Sequence, residues 1–463
     1  MKNPRKVPLN ACDFVIFSQH RVWLRTTGGG NFPYMMVEID GELDSAHLQQ
    51  SLQRALSEHP ALLGSVRTAA LRFRPFWVLP EDAMRVAEQT LMQSYFHVDL
   101  RSATNVNALV DELCQTRYSG EWYRYEGPQV CLEHYTLPGA QTRLVLRWPH
   151  YAMDAEGAQQ FLASLGDDPP TVAKSPRNAS TMLSADDDPP RVLSKLPRSK
   201  RLSIIRRGMR ARRELPDQKP SKPLLNSGDA FHDYAVIHRH WHGESFSRMR
   251  DDARRLTPPG PASFSRYLAA AVCRAQRRLY EELKHSANAL SISCPVRLGI
   301  AEPAVKLFER RPLIGNYLVA PTICVLAEET RDRAVLSDVI LQQVQRFLAA
   351  RGDVAQWALL ELASLWHAWF YHWIFRLPLS VNQCSSGFSY YAEIKNHLKT
   401  IGGAKVINIY GGGPTTTPPA WNPVFSKFGD NLNLSLTYSR PAISDEWARR
   451  YADLIEDELL RPA

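Results

Sequence analysis

The 463-residue chain has no pair of cysteines at Cys-x-x-Cys spacing and no cluster of His and Cys at metal-ligand spacing. A structural zinc site is therefore not expected, nor any other resident metal. The seven cysteines are scattered and odd in number. That argues against a disulfide framework and for reduced thiols in a cytoplasmic compartment. No apolar run of signal-peptide length follows the basic start Met1–Lys6, because Asn10 and Asp13 interrupt Val7 to Phe17; no secretory leader is expected. The triple glycine Gly411–Gly413 is not followed by Lys and then Ser or Thr. It is not a P-loop and reads as a glycine-rich turn.

Acid is missing from one region. Arg191 to Arg213 holds ten Lys or Arg and no Asp or Glu, against a formal net charge of +9 for the whole chain. The basicity belongs to one local device, which excludes a nucleic-acid-binding surface spread over the fold. Leu193, Leu196, Leu202, Ile204, Ile205 and Met209 alternate with these cations. The segment reads either as a solvated linker or as a basic amphipathic helix lying on anionic lipid, at the inner face of a membrane, or on an acidic carrier protein. A second stretch, Gln356 to Phe375, has no Lys or Arg and carries four Trp, one Glu and two His. Its length is enough to cross a bilayer. Glu361, His367 and His372 are costly at that depth, so a buried or tunnel-lining helix is expected ahead of an interfacial one.

What remains is an ordinary globular composition, 44% apolar and 22% charged, long enough for two or three domains. Phe14 to Phe17 and Tyr34 to Asp40 read as strands. Asp44 caps a helix whose buried stripe is Leu48, Leu52, Ala55 and Leu56, and Pro60 ends it. Val106 to Tyr118 reads as a further helix. Gln129 to Tyr135 and Thr142 to Trp148 read as strands joined at Pro138-Gly139. The order is mixed α/β. From about Gly166 to Ser227 the chain is rich in Asp, Pro, Ser and basic residues and reads as a crossover. The second half then repeats strands and helices: a strand at Tyr234 to Trp241, a helix with Phe264, Leu268, Val272 and Leu279 on its core face, a strand from Leu290, a turn and strand within Ile314 to Val325, and a helix from Arg331 to Ala350. It closes with a strand at Leu432 to Tyr438 and a helix capped by Ser444.

The chemistry is concentrated in Leu144 to Leu162. An apolar run reaches Trp148 and a helical pattern begins at Gly157; between them stand His150 and, four residues on, Asp154. A histidine at a strand end is held on a rigid element and faces whatever lies beyond the sheet edge, where a general base is useful. The spacing alone supports nothing more than a hydrogen-bonded histidine at a strand end.

With its neighbours the motif says more. The chain resembles the thioester-dependent acyltransferase superfamily with the chloramphenicol-acetyltransferase-like fold, nearest its condensation-domain and wax ester synthase branches. The landmarks follow in order: Glu58-His-Pro-Ala-Leu-Leu63, His150-x-x-x-Asp154, Pro295-Val-Arg297, Gly315-Asn316, the Ser-rich stretch at Ser385 and Ser386, then a closing strand and helix. Those branches carry His-His-x-x-x-Asp-Gly; here Pro149 and Ala155 replace the first His and the Gly, and Gly157 is available for the turn. The resemblance implies a two-lobed α/β pseudo-dimer with an inter-lobe tunnel, residues 1–170 and 229–463 forming the lobes and 171–228 the crossover. It implies transfer of an acyl group from coenzyme A, or from phosphopantetheine on an acyl carrier protein, to an alcohol or amine, in lipid or secondary-metabolite biosynthesis. No cofactor is held permanently. His150 would be the general base, and Asp154 would pair with Arg297 to brace its loop. Gly157, Asn316, Ser385 and Ser386 are the candidates for contacting substrate or its oxyanion.

Overall fold

The computed structural model describes residues 5–27, 30–68, 75–105, 127–168, 193, 198–213, 233–257, 263–297, 315–365, 384–391, 398–413, 415, 419–440 and 442–461. The chain opens with β1 (Lys6–Pro8) and enters helix α1 (Ala11–Thr27) where a strand was expected at Phe14 to Phe17. Asn10 explains the difference. Its Oδ1 accepts the Asp13 N–H at 2.8 Å and its carbonyl accepts that of Phe14 at 3.0 Å, so the polar residues that break the apolar run form a helix cap. The buried residues Phe14, Phe17 and His20 then recur at helical spacing.

Strand β2 (Tyr34–Asp40) and helix α2 (Ser45–Glu58) lie where expected, with the Asp44 carboxylate accepting the N–H groups of Ala46 and His47. Then come β3 (Ser65–Arg67), β4 (Phe76–Val78), α3 (Ala83–Ser94) and β5 (Tyr95–Asp99). The hairpin of β6 (Cys131–Leu137) and β7 (Gln141–Arg147) leads to α4 (Ala155–Ala163). The helix expected at Val106 to Tyr118 lies outside the described residues. The basic segment forms α5 (Arg198–Arg213). The second half runs through β8 (Asp233–His242), α6 (Gly243–Leu256), α7 (Ser263–Glu282), β9 (Ala289–Ser293), β10 (Val296–Arg297), β11 (Leu318–Val319) and β12 (Thr322–Leu326). It continues through α8 (Arg333–Ala349), α9 (Gly352–Ala363), β13 (Ser386–Gly387), β14 (Ser389–Tyr391), β15 (Thr400–Ile401), β16 (Ala404–Gly412), β17 (Trp421–Phe428), β18 (Asn431–Arg440) and α10 (Asp445–Leu460).

Among the described residues, a six-stranded sheet of order β15-β16-β2-β7-β6-β5 carries the first lobe. One face, with Met35, Val37, Leu132, Leu144 and Leu146, is buried under α2 and α4. Strands β15 and β16 belong to this sheet although they come from the second half of the chain, and Ile401, Val406 and Ile409 enter the same core. Gly411 and Gly412, expected in a turn, are extended within β16. A Cβ on Gly411 would lie 2.5 Å from the Tyr34 carbonyl oxygen, so glycine is what lets this strand close on β2. The second lobe stacks a four-stranded sheet, β14-β17-β18-β8, and a three-stranded one, β12-β9-β13, around α6, α7 and α10.

The other face of the six-stranded sheet meets the second lobe. Tyr34, Met36, Tyr135, Val145 and Tyr410 pack with Tyr234 and Val236 of β8. Within that junction the Arg147 guanidinium and Glu133 carboxylate are fully buried and 2.7 Å apart, and the Tyr135 hydroxyl donates to Glu133. A third cluster joins α1, α5 and α9 around the fully buried Trp357. The Trp357 Nε1 donates to Glu361 Oε1 at 3.1 Å and the Leu193 N–H to Glu361 Oε2 at 2.9 Å, which accounts for an acid in an apolar stretch. No helix of the described residues is long and apolar enough to cross a membrane.

Candidate active site

Strand β7 is followed by Trp148, whose Nε1 donates to the Met153 carbonyl at 2.8 Å and ties off the loop between. Within that loop the Ala152 N–H donates to the Pro149 carbonyl at 2.8 Å. His150 sits on this turn and its backbone is pinned on both sides. Its N–H donates to the Asn31 carbonyl at 2.8 Å, and its carbonyl accepts Asn316 Nδ2 at 2.7 Å. Asn31 is held in turn by His20 of α1, whose Nδ1 accepts the Asn31 N–H at 3.0 Å.

The second pin comes from the other half of the chain. Residues 315–317 run beside 152–154: the Gly315 N–H donates to the Ala152 carbonyl at 2.8 Å, Met153 and Gly315 form a parallel bridge, and the Tyr317 N–H reaches Asp154 Oδ2 at 3.5 Å. Gly315 has φ +111°, and a Cβ there would lie 3.0–3.2 Å from Asn10, Tyr317 and Asp13. Only glycine combines that backbone angle with that crowding. Asp13 of α1 completes the clamp, its Oδ1 accepting both the N–H and the Nδ2 of Asn316 at 2.7 and 2.9 Å.

The His150 ring is partly exposed, with Nδ1 enclosed. Burial lowers its pKa below the ordinary histidine value, and its own carbonyl, the Asp154 charge and Asn316 pull in the opposite direction. The resting ring therefore favours its neutral form at pH 7. Burial pushes the Asp13 carboxyl up to about 8, against the hydrogen bonds from Asn316. It raises the Cys12 thiol well above its usual range too, helped by the charges of Asp13 and Asp154. Tyr391, at the end of β14, lies near enough to Asp154 for that charge to add to the effect of burial on its phenol.

No family model matches the sequence, and no curated protein is similar to it in sequence. Solved structures are similar over almost all of both chains. The trichothecene 15-O-acetyltransferase TRI3 from Fusarium sporotrichioides matches with TM-score 0.72 and 10% identity, over 99% of this chain and 96% of that one. The first condensation domain of the calcium-dependent antibiotic synthetase matches with TM-score 0.69 and 14% identity, over 99% and 96%. The starter condensation domain of rhizomide synthetase, solved with C8-CoA and Leu-SNAC, matches with TM-score 0.65 and 12% identity, over 98% and 94%. The fold is that of the condensation domains.

On this condensation-domain fold the departures from the motif can be placed. Ala155, where those branches have glycine, opens α4 and is not among the residues of positive φ, so the helix start does not demand glycine. Gly157 lies inside α4 and its N–H donates to Asp154 Oδ1 at 3.1 Å; Asp154 is the cap of α4, and that N–H is already committed. Asn316, expected at the substrate, is spent on Asp13 and the His150 carbonyl. Ser385 and Ser386 lie buried in the second lobe. Ser385 bonds to Ser291, its carbonyl accepts Gln276 Nε2 and Trp421 Nε1, and the Ser386 hydroxyl donates to the Gly387 carbonyl. Arg297 pairs by backbone with Leu318, next to Tyr317; its side chain lies outside the described residues. Asp13, Asn10 and His20 were missed, although Asn10-x-x-Asp13 has the spacing of a helix cap.

Proposed function

We propose that the protein is an acyltransferase that moves an acyl group from a coenzyme A or carrier-protein thioester to a hydroxyl or amine, with His150 as the general base. The observation that supports this reading is an imidazole, its pKa lowered by burial, on a turn pinned by both halves of a chain with the condensation-domain fold. Nε2 takes the proton of the acceptor O–H or N–H as its heavy atom bonds to the thioester carbonyl carbon. The adduct collapses, the C–S bond breaks, and the imidazolium returns the proton to the departing thiolate. Asp154 caps α4 at the end of the loop, and its charge favours the imidazolium. Cys12, close by, is held as a neutral thiol, which supports direct transfer over an acyl-cysteine route. A similar fold solved with C8-CoA and Leu-SNAC fits a thioester donor meeting an amine acceptor.

The donor's carrier would dock at α5. Ile204 is buried against α9, while Arg198, Leu202 and Arg206, at four-residue spacing, are exposed, a cationic face with an apolar centre that suits an acidic acyl carrier protein in the cytoplasm. Co-flotation with anionic liposomes at low but not at high salt would assign that face to a membrane instead.

The test is thiol release with acyl-coenzyme A donors of increasing chain length against a panel of alcohols and amines. Release that requires the acceptor, with an ester or amide found by mass spectrometry, is expected. The replacement of the first motif histidine by Pro149 favours a second reading, a binding protein without chemistry. Saturable acyl-coenzyme A binding with no release from any pair would establish it.

A further inference from the structure

Glu361 is an acid within the apolar helix α9 and is 7% exposed. Burying such a group is costly unless hydrogen-bond donors meet it. Its donors come from two places. Oε2 accepts the N–H of Leu193, just ahead of the basic helix α5, at 2.9 Å, and Oε1 accepts Trp357 Nε1 at 3.1 Å. Ile204 of α5 is buried in the same cluster as Trp357. The seat of α5 is therefore tied to the Trp357 side chain by a shared carboxyl and by packing.

From Trp357 the contacts lead to the base loop. The Trp357 ring lies 16° from parallel with that of Tyr317, their centroids 6.3 Å apart, and Val319 enters the same cluster. Residues two apart on a strand share a face, so this segment turns one side to α9. Its backbone and Asn316 hold the base loop: the Tyr317 N–H reaches Asp154 Oδ2, Asn316 Nδ2 the His150 carbonyl and the Gly315 N–H the Ala152 carbonyl. Asp13 ties Asn316 to α1, and α1 rests on the same cluster through Ala11 and Cys12. Both supports of residues 315–319 thus meet around Trp357.

We infer that Glu361 and Trp357 are positioning residues for the base, joining the seat of α5 to the loop that carries His150. This rests on the acyltransferase reading. The exposed Arg198, Leu202 and Arg206 belong to the same helix, so the carrier's dock and the base share one support.

Acyl-coenzyme A needs no carrier, so with it as donor a role confined to docking would leave turnover untouched. Glu361→Ala should instead lower kcat by about 10–100-fold with KM within twofold of wild type, the cost of displacing a reacting group by about 1 Å. Ile204→Ala should act in the same direction, and the double variant should lose no more than the worse single, because both act through one route. In protein labelled with ¹³C-histidine, the His150 ring signal, assigned by its absence in His150→Ala, should move in Glu361→Ala. A role in stability alone would lower the melting temperature and leave both kcat per folded molecule and the ring signal as they are. Should Glu361→Ala not fold, Glu361→Gln, which keeps an acceptor for one of the two donors, carries the same expectation with a smaller loss. An unmoved ring or an unchanged kcat in these variants, or losses that multiply in the double variant, overturns the inference. The ring signal needs no turnover, so a wild-type protein without transferase activity would overturn the acyltransferase reading and leave the positioning to be judged by the ring alone.

Discussion

Replacing His150 with alanine should lower the rate of acyl transfer by about 10²–10⁴-fold and leave the protein folded. The fold survives because the loop is held through the backbone of this residue: the N–H bond to Asn31 and the carbonyl bond from Asn316 do not involve the ring. The rate falls because the other side chains described at the site are not free to do the work. Cys12 is a half-buried neutral thiol donating to the Leu318 carbonyl, and Asp154 bonds to Gly157 and Tyr317. The wild-type pH profile supplies an independent check. The base works in its neutral form, and burial lowers its pKa. The acid limb of kcat/KM should therefore fall at a pH below the ordinary histidine value, with full activity at and above neutrality. Turnover that survives in His150→Ala, or an acid limb at or above the ordinary value, would remove His150 from the mechanism.

How much of this was legible in the sequence depended on range. The strand into His150, the Asp44 and Ser444 caps and the strands of the second half were legible because each is written in a few adjacent residues. The return of β16 to pair with β2 was not, because its pattern does not say which sheet it joins, and its glycines were taken for a turn when their purpose is the close approach to Tyr34. Helix α1 was misread because the apolar run outweighed the cap at Asn10. That error hid Asp13 and His20 as well, residues of α1 that hold the base loop through Asn316 and Asn31. Resemblance placed Asp154 and Gly315-Asn316 near the base, but only the coordinates show that Asn316 bonds to Asp13 and to the His150 carbonyl.

The chain should be unusually sensitive to mild acid, and the base loop should fail with it. Burial depresses the histidines His20 and His238 to about 3, and His59 and His134 to about 4, with the neighbouring charges of His97 acting on His134 and of His240 and Arg143 on His238. Each is neutral in the folded chain where the unfolded chain would bind a proton, so stability is full above the unfolded value near 6.5 and is lost as pH falls toward the folded values. Asp13 works in the opposite direction, its folded value of about 8 leaving one more proton on the native state across the same range. Four protons less one, trimmed because His59 and His238 are partly exposed, gives about 3 kcal/mol of lost stability per pH unit. From pH 6.5 to pH 5 that comes to about 4 kcal/mol, a large part of a total of about 5–15 kcal/mol, so the chain is much weakened at pH 5. His20 connects the loss to the site: protonating its Nδ1 removes the acceptor of the Asn31 N–H, and Asn31 in turn anchors the N–H of His150. Urea midpoints followed by tryptophan fluorescence should fall steeply from pH 7 to 5, with proton uptake on unfolding. Equal midpoints at the two values would mean that these rings are not buried neutral.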